Sequence, residues 1–261
     1  MKLGCFGSCN QLDLIEEAGY DCAELDFCEL ADMDLDTYEN FKKKALDSKL
    51  GFEVFSGLLP LSERFHTPDF DLEYWLEHTR KGAVRAAELG CRMIPFGAGK
   101  CRSIPEGYDK EVAAQTVANI VRSFGALFEE YNIRFVIEPL GPPNSNFLNT
   151  LPEVEEFLKI VNHPNCSSMC DLRHMVKSEE SFDDIFSQHS IIKHAHIDYP
   201  EGLDRFFPLP DDWYDYKPYL KALKESNYTE ILTVEATAVK EDFSKEATTC
   251  CKYLRELLKE A

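Results

Sequence analysis

Four short strand-like stretches in the second half of the chain each stop on a side chain that can bind a metal or carry a proton. Arg134-Phe-Val-Ile runs into Glu138 and then Pro139, Cys166-Ser-Ser-Met-Cys into Asp171, Ile192-Lys-His-Ala into His196, and Ile231-Leu-Thr-Val into Glu235. Phe135-Val-Ile137 shows no polar alternation, the pattern of a strand covered on both faces by helices. The four side chains are 33, 25 and 39 residues apart, each interval about one strand-plus-helix unit of roughly 30 residues. In a parallel barrel such strand ends share one rim, the rim that carries chemistry.

The rest of the chain repeats the alternation. Strands are expected at Lys2–Gly7, Cys22–Phe27, Phe52–Leu59 and Arg92–Gly97, and again at Arg134–Glu138, Cys166–Asp171, Ile192–His196 and Glu230–Ala236. Amphipathic helices are expected over Gln11–Ala18, Leu35–Lys49, Leu72–Leu89, Lys110–Tyr131, Leu151–Val161, Ser181–Gln188, Tyr216–Ser226 and Lys245–Lys259, with Gly19 and Gly90 as stops. Thr150 reads as the N-cap of the fifth helix, with Pro152 in its first turn. In the fourth helix Val112, Thr116, Ile120, Val121 and Leu127 are the expected inward residues. Eight alternations without a reversal predict an α/β fold, a single (β/α)8 TIM barrel over residues 1–261. A doubly wound open sheet is the other solution, but Gly4 and Gly7 do not form its usual GxGxxG turn.

A chain of 261 residues has the length of one such barrel, about 250 residues. Apolar residues make up 44% and charged residues 29%, values of a globular chain. Met1–Phe6 lacks the apolar run of an export signal and no stretch approaches a membrane span, so a cytoplasmic location and no membrane partner are expected. Ten cysteines are scattered without CxxC spacing, which predicts buried thiols rather than a disulfide framework or a structural zinc. A net charge of −19 with no basic stripe argues against nucleic acid.

Two glutamates, an aspartate and one histidine form an oxygen-rich donor set that suits a divalent ion, Mn²⁺ first, with Mg²⁺, Co²⁺, Zn²⁺ or Fe²⁺ also compatible. Such an ion polarises a sugar carbonyl and stabilises the enediolate formed when the neighbouring C–H loses its proton. Glu138 and Glu235, three strands apart, could exchange that proton from opposite faces. His194, two residues before His196, is expected to face away from it; if the strand boundary shifts, the two exchange roles. Phe6, ending the first strand, and Trp213, in the long Asp198–Asp215 loop, could stack on a sugar ring. Arg64, Lys100 and Arg102 lie in rim loops where they could meet a phosphate, so sugar phosphates stay open as substrates.

Val136-Ile-Glu-Pro-Leu-Gly-Pro-Pro-Asn-Ser-Asn-Phe-Leu-Asn-Thr150, together with Cys170-Asp-Leu-Arg-His-Met175 and Glu235, resembles the sugar isomerase/epimerase superfamily of xylose-isomerase-like TIM barrels. Within it the chain is most similar to the ketose 3-epimerase group, of which D-tagatose 3-epimerase is typical. The resemblance implies metal ligation by Glu138, Asp171, His196 and Glu235, with the two glutamates as the acid/base pair. It further implies substrate contacts by His174, in the Asp-x-x-His-Met run, and by Arg205. Where that group carries a second glutamate six residues after the first ligand, this chain has Asn144, which can hydrogen-bond a hydroxyl but cannot take a proton.

The expected function is therefore a metal-dependent isomerase or epimerase of a small sugar, sugar phosphate or polyol, with a homo-oligomer possible. An inosose-dehydratase-like lyase would use the same site. An endonuclease IV-type DNA repair enzyme, which needs extra histidines from the third and fourth strands, is disfavoured by Phe96-Gly-Ala-Gly99. A catalytically inactive sugar-binding barrel is disfavoured by the four complete ligand positions.

Overall fold

The computed structural model describes residues 1–260. Its eight strands are β1 Lys2–Gly7, β2 Cys22–Asp26, β3 Gly51–Ser56, β4 Met93–Phe96, β5 Arg134–Ile137, β6 Cys166–Asp171, β7 Ile192–Ile197 and β8 Ile231–Val234. They pair in parallel with their sequence neighbours, and β1 closes on β8 to complete a barrel. The helices are α1 Leu12–Ala18, α2 Phe27–Asp32, α3 Leu35–Asp47, α4 Leu72–Glu88, α5 Gly99–Arg102, α6 Lys110–Glu129, α7 Leu151–Val161, α8 Leu172–Lys177, α9 Asp183–Ser187, α10 Lys217–Glu225 and α11 Phe243–Glu260. Among the described residues no helix is long and apolar enough to cross a membrane.

The local chemistry explains these elements. Phe135, Val136 and Ile137 are fully buried because β5 has helices on one side and the barrel interior on the other. Phe96, Phe124, Phe128 and Phe135 form a ring-on-ring cluster between β4, β5 and α6, with centroids 5.1 to 6.5 Å apart. Such pairs add specific edge and offset contacts to the area they bury. Thr150 caps α7 as expected: its Oγ1 accepts from the backbone N–H of Glu153, and a proline stands in the first turn. All ten cysteines are free thiols, nine of them buried.

The sequence reading missed α2, α5 and α8, each only four to six residues long. The third strand stops at Ser56 rather than Leu59, and the eighth spans Ile231–Val234 rather than Glu230–Ala236. In α6 the inward face includes Ala113, Val117, Phe124 and Phe128 beside the expected Ile120, Val121 and Leu127, while Thr116 is half-buried and Val112 is exposed. The aromatic cluster behind β4 and β5 sets the rotation of this helix, and Val112 falls one step off that face.

The register aligns the strand ends. Ile137 stands opposite Ser168, Asp171 opposite His196, and Ile197 opposite Val234. Glu138 and Glu235 follow their strands by one residue, so all four side chains emerge at one rim.

Candidate active site

Glu138, Asp171, His196 and Glu235 each bring a ligand atom to one point, all four within 4.8 Å of one another. His196 Nδ1 lies 3.0 Å from Glu235 Oε2, 3.6 Å from Glu138 Oε1 and 3.7 Å from Asp171 Oδ2. Neighbouring ligands on an ion with bonds of about 2.1 Å stand roughly 3 Å apart, so these separations match a shared cation. Glu138 Oε1 and His196 Nδ1 are also buried without a hydrogen-bond partner, while Glu235 Oε2 is ion-paired with Arg205. Two orphaned atoms facing one space, within a set of three carboxylates and one imidazole, fit a divalent ion.

The charges of the set work against one another. Burial, and next the charges of Glu235 and Asp171, push the Glu138 carboxyl up to about 7, with His196 opposing. Burial raises Asp171 and Glu235 most, but the Arg205 guanidinium and His196 together, joined at Asp171 by His174, outweigh it and hold both below their ordinary range. Arg205 Nη1 is 2.6 Å from Glu235 Oε2 and 3.0 Å from Asp171 Oδ2. Two carboxylates driven apart in acidity at one site are the arrangement that separates an acid from a base.

The other expected residues divide. His174 is buried beside the set, with Nε2 3.8 Å from Glu138 Oε1, and burial lowers its pKa to about 4. Its Nδ1 meets the backbone N–H of Gly141 at 3.2 Å while its Nε2 faces Arg205 Nη2 at 2.8 Å. A neutral imidazole has one acceptor nitrogen, so only one of these can be a hydrogen bond. Phe6 lines the cavity of about 180 Å³ in front of Glu138, His196 and Glu235. Asn144 is exposed on the loop after β5, and Trp213 is 73% exposed; neither lines that cavity. Arg102, expected on the rim, is fully buried and donates to the backbone carbonyls of Glu138 and Leu148. It holds the end of β5 instead of facing a ligand.

His194 does not face away from His196. Residues two apart on a strand share a face, so both imidazoles enter the barrel, and both reach Glu24 of β2, at 2.9 Å and 3.0 Å. Glu24 is the residue the sequence reading passed over. Its signal was a carboxylate in mid-strand, which looks like the wet side of an alternating strand but has no wet side in a covered barrel.

A sequence profile of the family described as Xylose isomerase-like TIM barrel matches residues 12–257. The chain belongs to this family. Among solved structures, this xylose isomerase-like barrel is similar to a D-psicose 3-epimerase from Clostridium cellulolyticum H10 crystallised with D-tagatose (TM-score 0.82, 18% identity, 99% of each chain covered). It is also similar to a 3-keto-D-glucoside 4-epimerase from E. coli (TM-score 0.82, 18% identity, 98% of this chain and 99% of that one). A probable 3-DHS dehydratase from Bacillus anthracis superposes as well (TM-score 0.78, 18% identity, 98% and 99% covered). At these identities the likeness speaks for the fold. No curated protein matches the chain by sequence.

Proposed function

We propose that this chain is a metal-dependent isomerase or epimerase of a small neutral sugar or polyol, acting by proton transfer next to a carbonyl. The observation that carries it is the convergence of Glu138, Asp171, His196 and Glu235 within 4.8 Å at one rim. These four side chains would hold the ion, with Mn²⁺ the best match to three oxygens and one nitrogen. The bound ion supplies positive charge that polarises the substrate carbonyl and stabilises the enediolate.

The protein's own groups then divide the work. Glu138 takes the proton from the carbon beside the carbonyl, and Glu235 returns one from the opposite face; the reverse reaction exchanges their roles. Arg205 and His174, in contact with each other beside the carboxylates, orient substrate oxygens. Phe6 covers the apolar face of the ring, and Leu58, Leu59, Pro95 and Phe96 keep bulk water from the wall opposite the carboxylates. A cavity of about 180 Å³ has room for roughly six waters, the scale of one small sugar.

Dehydration on the same site is the second reading. Asn144 is exposed and the facing wall is apolar, so a substrate with few hydroxyls on that side is accommodated, and one structural neighbour is named a dehydratase. The test is metal analysis of the purified chain, then incubation of its Mn²⁺ form with ketoses and inososes in D₂O. About one ion per chain and deuterium on carbon next to the carbonyl are expected. A product lighter by one water would select the lyase. Folded Glu138→Gln and Glu235→Gln variants should lose about 10²-fold or more in kcat; full turnover and full metal affinity in both would sink the proposal.

A further inference from the structure

Beneath the rim, Glu24 is 1% exposed and joins two histidines of one strand to a third element. Its Oε2 accepts from His194 Nε2 at 2.9 Å, and its Oε1 from His196 Nε2 at 3.0 Å and from the Ser56 hydroxyl at 2.8 Å. An ionised carboxylate only accepts, so each imidazole must present N–H to it through Nε2. The lone pair of His196 is thereby assigned to Nδ1, the atom that faces Glu138, Asp171 and Glu235.

We infer that Glu24 is the positioning residue of the metal site, fixing the ring orientation and tautomer of His196 from β2 while His194 and Ser56 hold Glu24 in place. The inference rests on the metal-site reading above. A carboxylate behind a ligating histidine both orients the ring and makes its free nitrogen more basic toward a cation. Glu24 serves from inside the barrel, so it touches neither substrate nor ion. The same three residues, Glu24, His194 and His196, also lie close enough to hold a cation themselves. Their mutual hydrogen bonds already use the atoms such a cation would need.

The test is titration of the metal-free full chain with MnCl₂ by calorimetry, beside thermal melts of the metal-free forms. Glu24→Gln is expected to weaken Mn²⁺ binding about 10- to 100-fold with a melting temperature close to that of the parent, and Glu24→Asp to recover part of the loss. Equal affinity in parent and Glu24→Gln overturns the inference and leaves the metal site standing. No Mn²⁺ binding by the parent removes both. Binding abolished by Glu24→Gln yet intact in Glu138→Gln would move the ion to the Glu24 group and overturn it as well. If Glu24→Gln does not fold, the ¹⁵N-histidine spectrum of the parent chain loaded with Zn²⁺ decides: His196 should keep its proton on Nε2 and bind through Nδ1, and the opposite assignment refutes the role.

Discussion

At the residue scale the site depends on groups that leave room as much as on groups that act. Gly97, just past β4, lines the cavity, and a Cβ built there would land on Glu138 Oε2. The obstructing atom is the tip of a side chain, so the chain can fold around an alanine, but only by turning the carboxylate away. Gly97→Ala should therefore leave the metal-free melting temperature nearly unchanged and lower kcat by at least tenfold. Unchanged turnover would mean that Glu138 has slack and is not held for proton transfer. The four rim acids and bases were legible in the sequence because each ends a strand-length stretch set about one strand-plus-helix unit from the next, and Glu138 and Glu235 end largely apolar runs where a charge has no packing reason to be. Glu24 was not, because one carboxylate inside an alternating strand reads as solvent-facing until closure of the barrel removes the solvent.

At the element scale, the long amphipathic helices could be read from periodicity, while α2, α5 and α8 are too short to show any. The caps of α2 and α8 were in the sequence all the same, while α5 follows Ala98 with no side-chain cap. Asp26 accepts from Glu29 N at 2.7 Å and Asp171 from His174 N at 2.9 Å, each opening a helix directly from a strand end. In α8 this places His174 on the first turn after a candidate ligand, which is why the Asp-x-x-His spacing brings both to one site. The start of α7 is held differently, by Thr150 and by Glu180, whose Oε1 accepts from Leu151 N at 2.7 Å. Burial pushes the Glu180 carboxyl from 4.5 up to about 7. An acid whose folded pKa lies above its unfolded value stabilises the fold at low pH and loses that contribution as pH rises from about 4.5 to about 7. Glu180→Gln, which keeps the acceptor for Leu151 but does not titrate, should match the parent at pH 4. At pH 8 it should be more stable by about 1 kcal/mol, a melting shift of roughly 2–4 °C. A constant difference across that range would show that Glu180 is not the titrating group.

At the scale of the whole molecule, charge bears on which substrate the proposed reaction takes. The chain carries a net −19, and three carboxylates converge at the rim. The loop cations that sequence offered as a phosphate seat are placed elsewhere. Arg102 is buried on backbone carbonyls, Arg64 is exposed with its Nη1 on the carbonyl of Leu61 at 2.8 Å, and Lys100 is exposed. Among the described residues, Arg205 is the arginine paired with the rim carboxylates, on Glu235 and Asp171. Among the described residues, the cavity lining contains no lysine or arginine. A phosphate dianion would approach against the net negative charge of the chain with no lysine or arginine of the cavity lining to pair with, whereas a neutral ketose carries no charge to be repelled. The Mn²⁺ form should therefore turn over a neutral ketose with kcat/KM at least tenfold above that of its phosphate ester, a difference of about 1.4 kcal/mol in transition-state binding. Added NaCl should narrow the gap, because screening acts on the long-range part of the repulsion. A phosphate ester preferred at low salt would require a cation to turn into the cavity, and would overturn the neutral-sugar assignment while leaving the metal site intact.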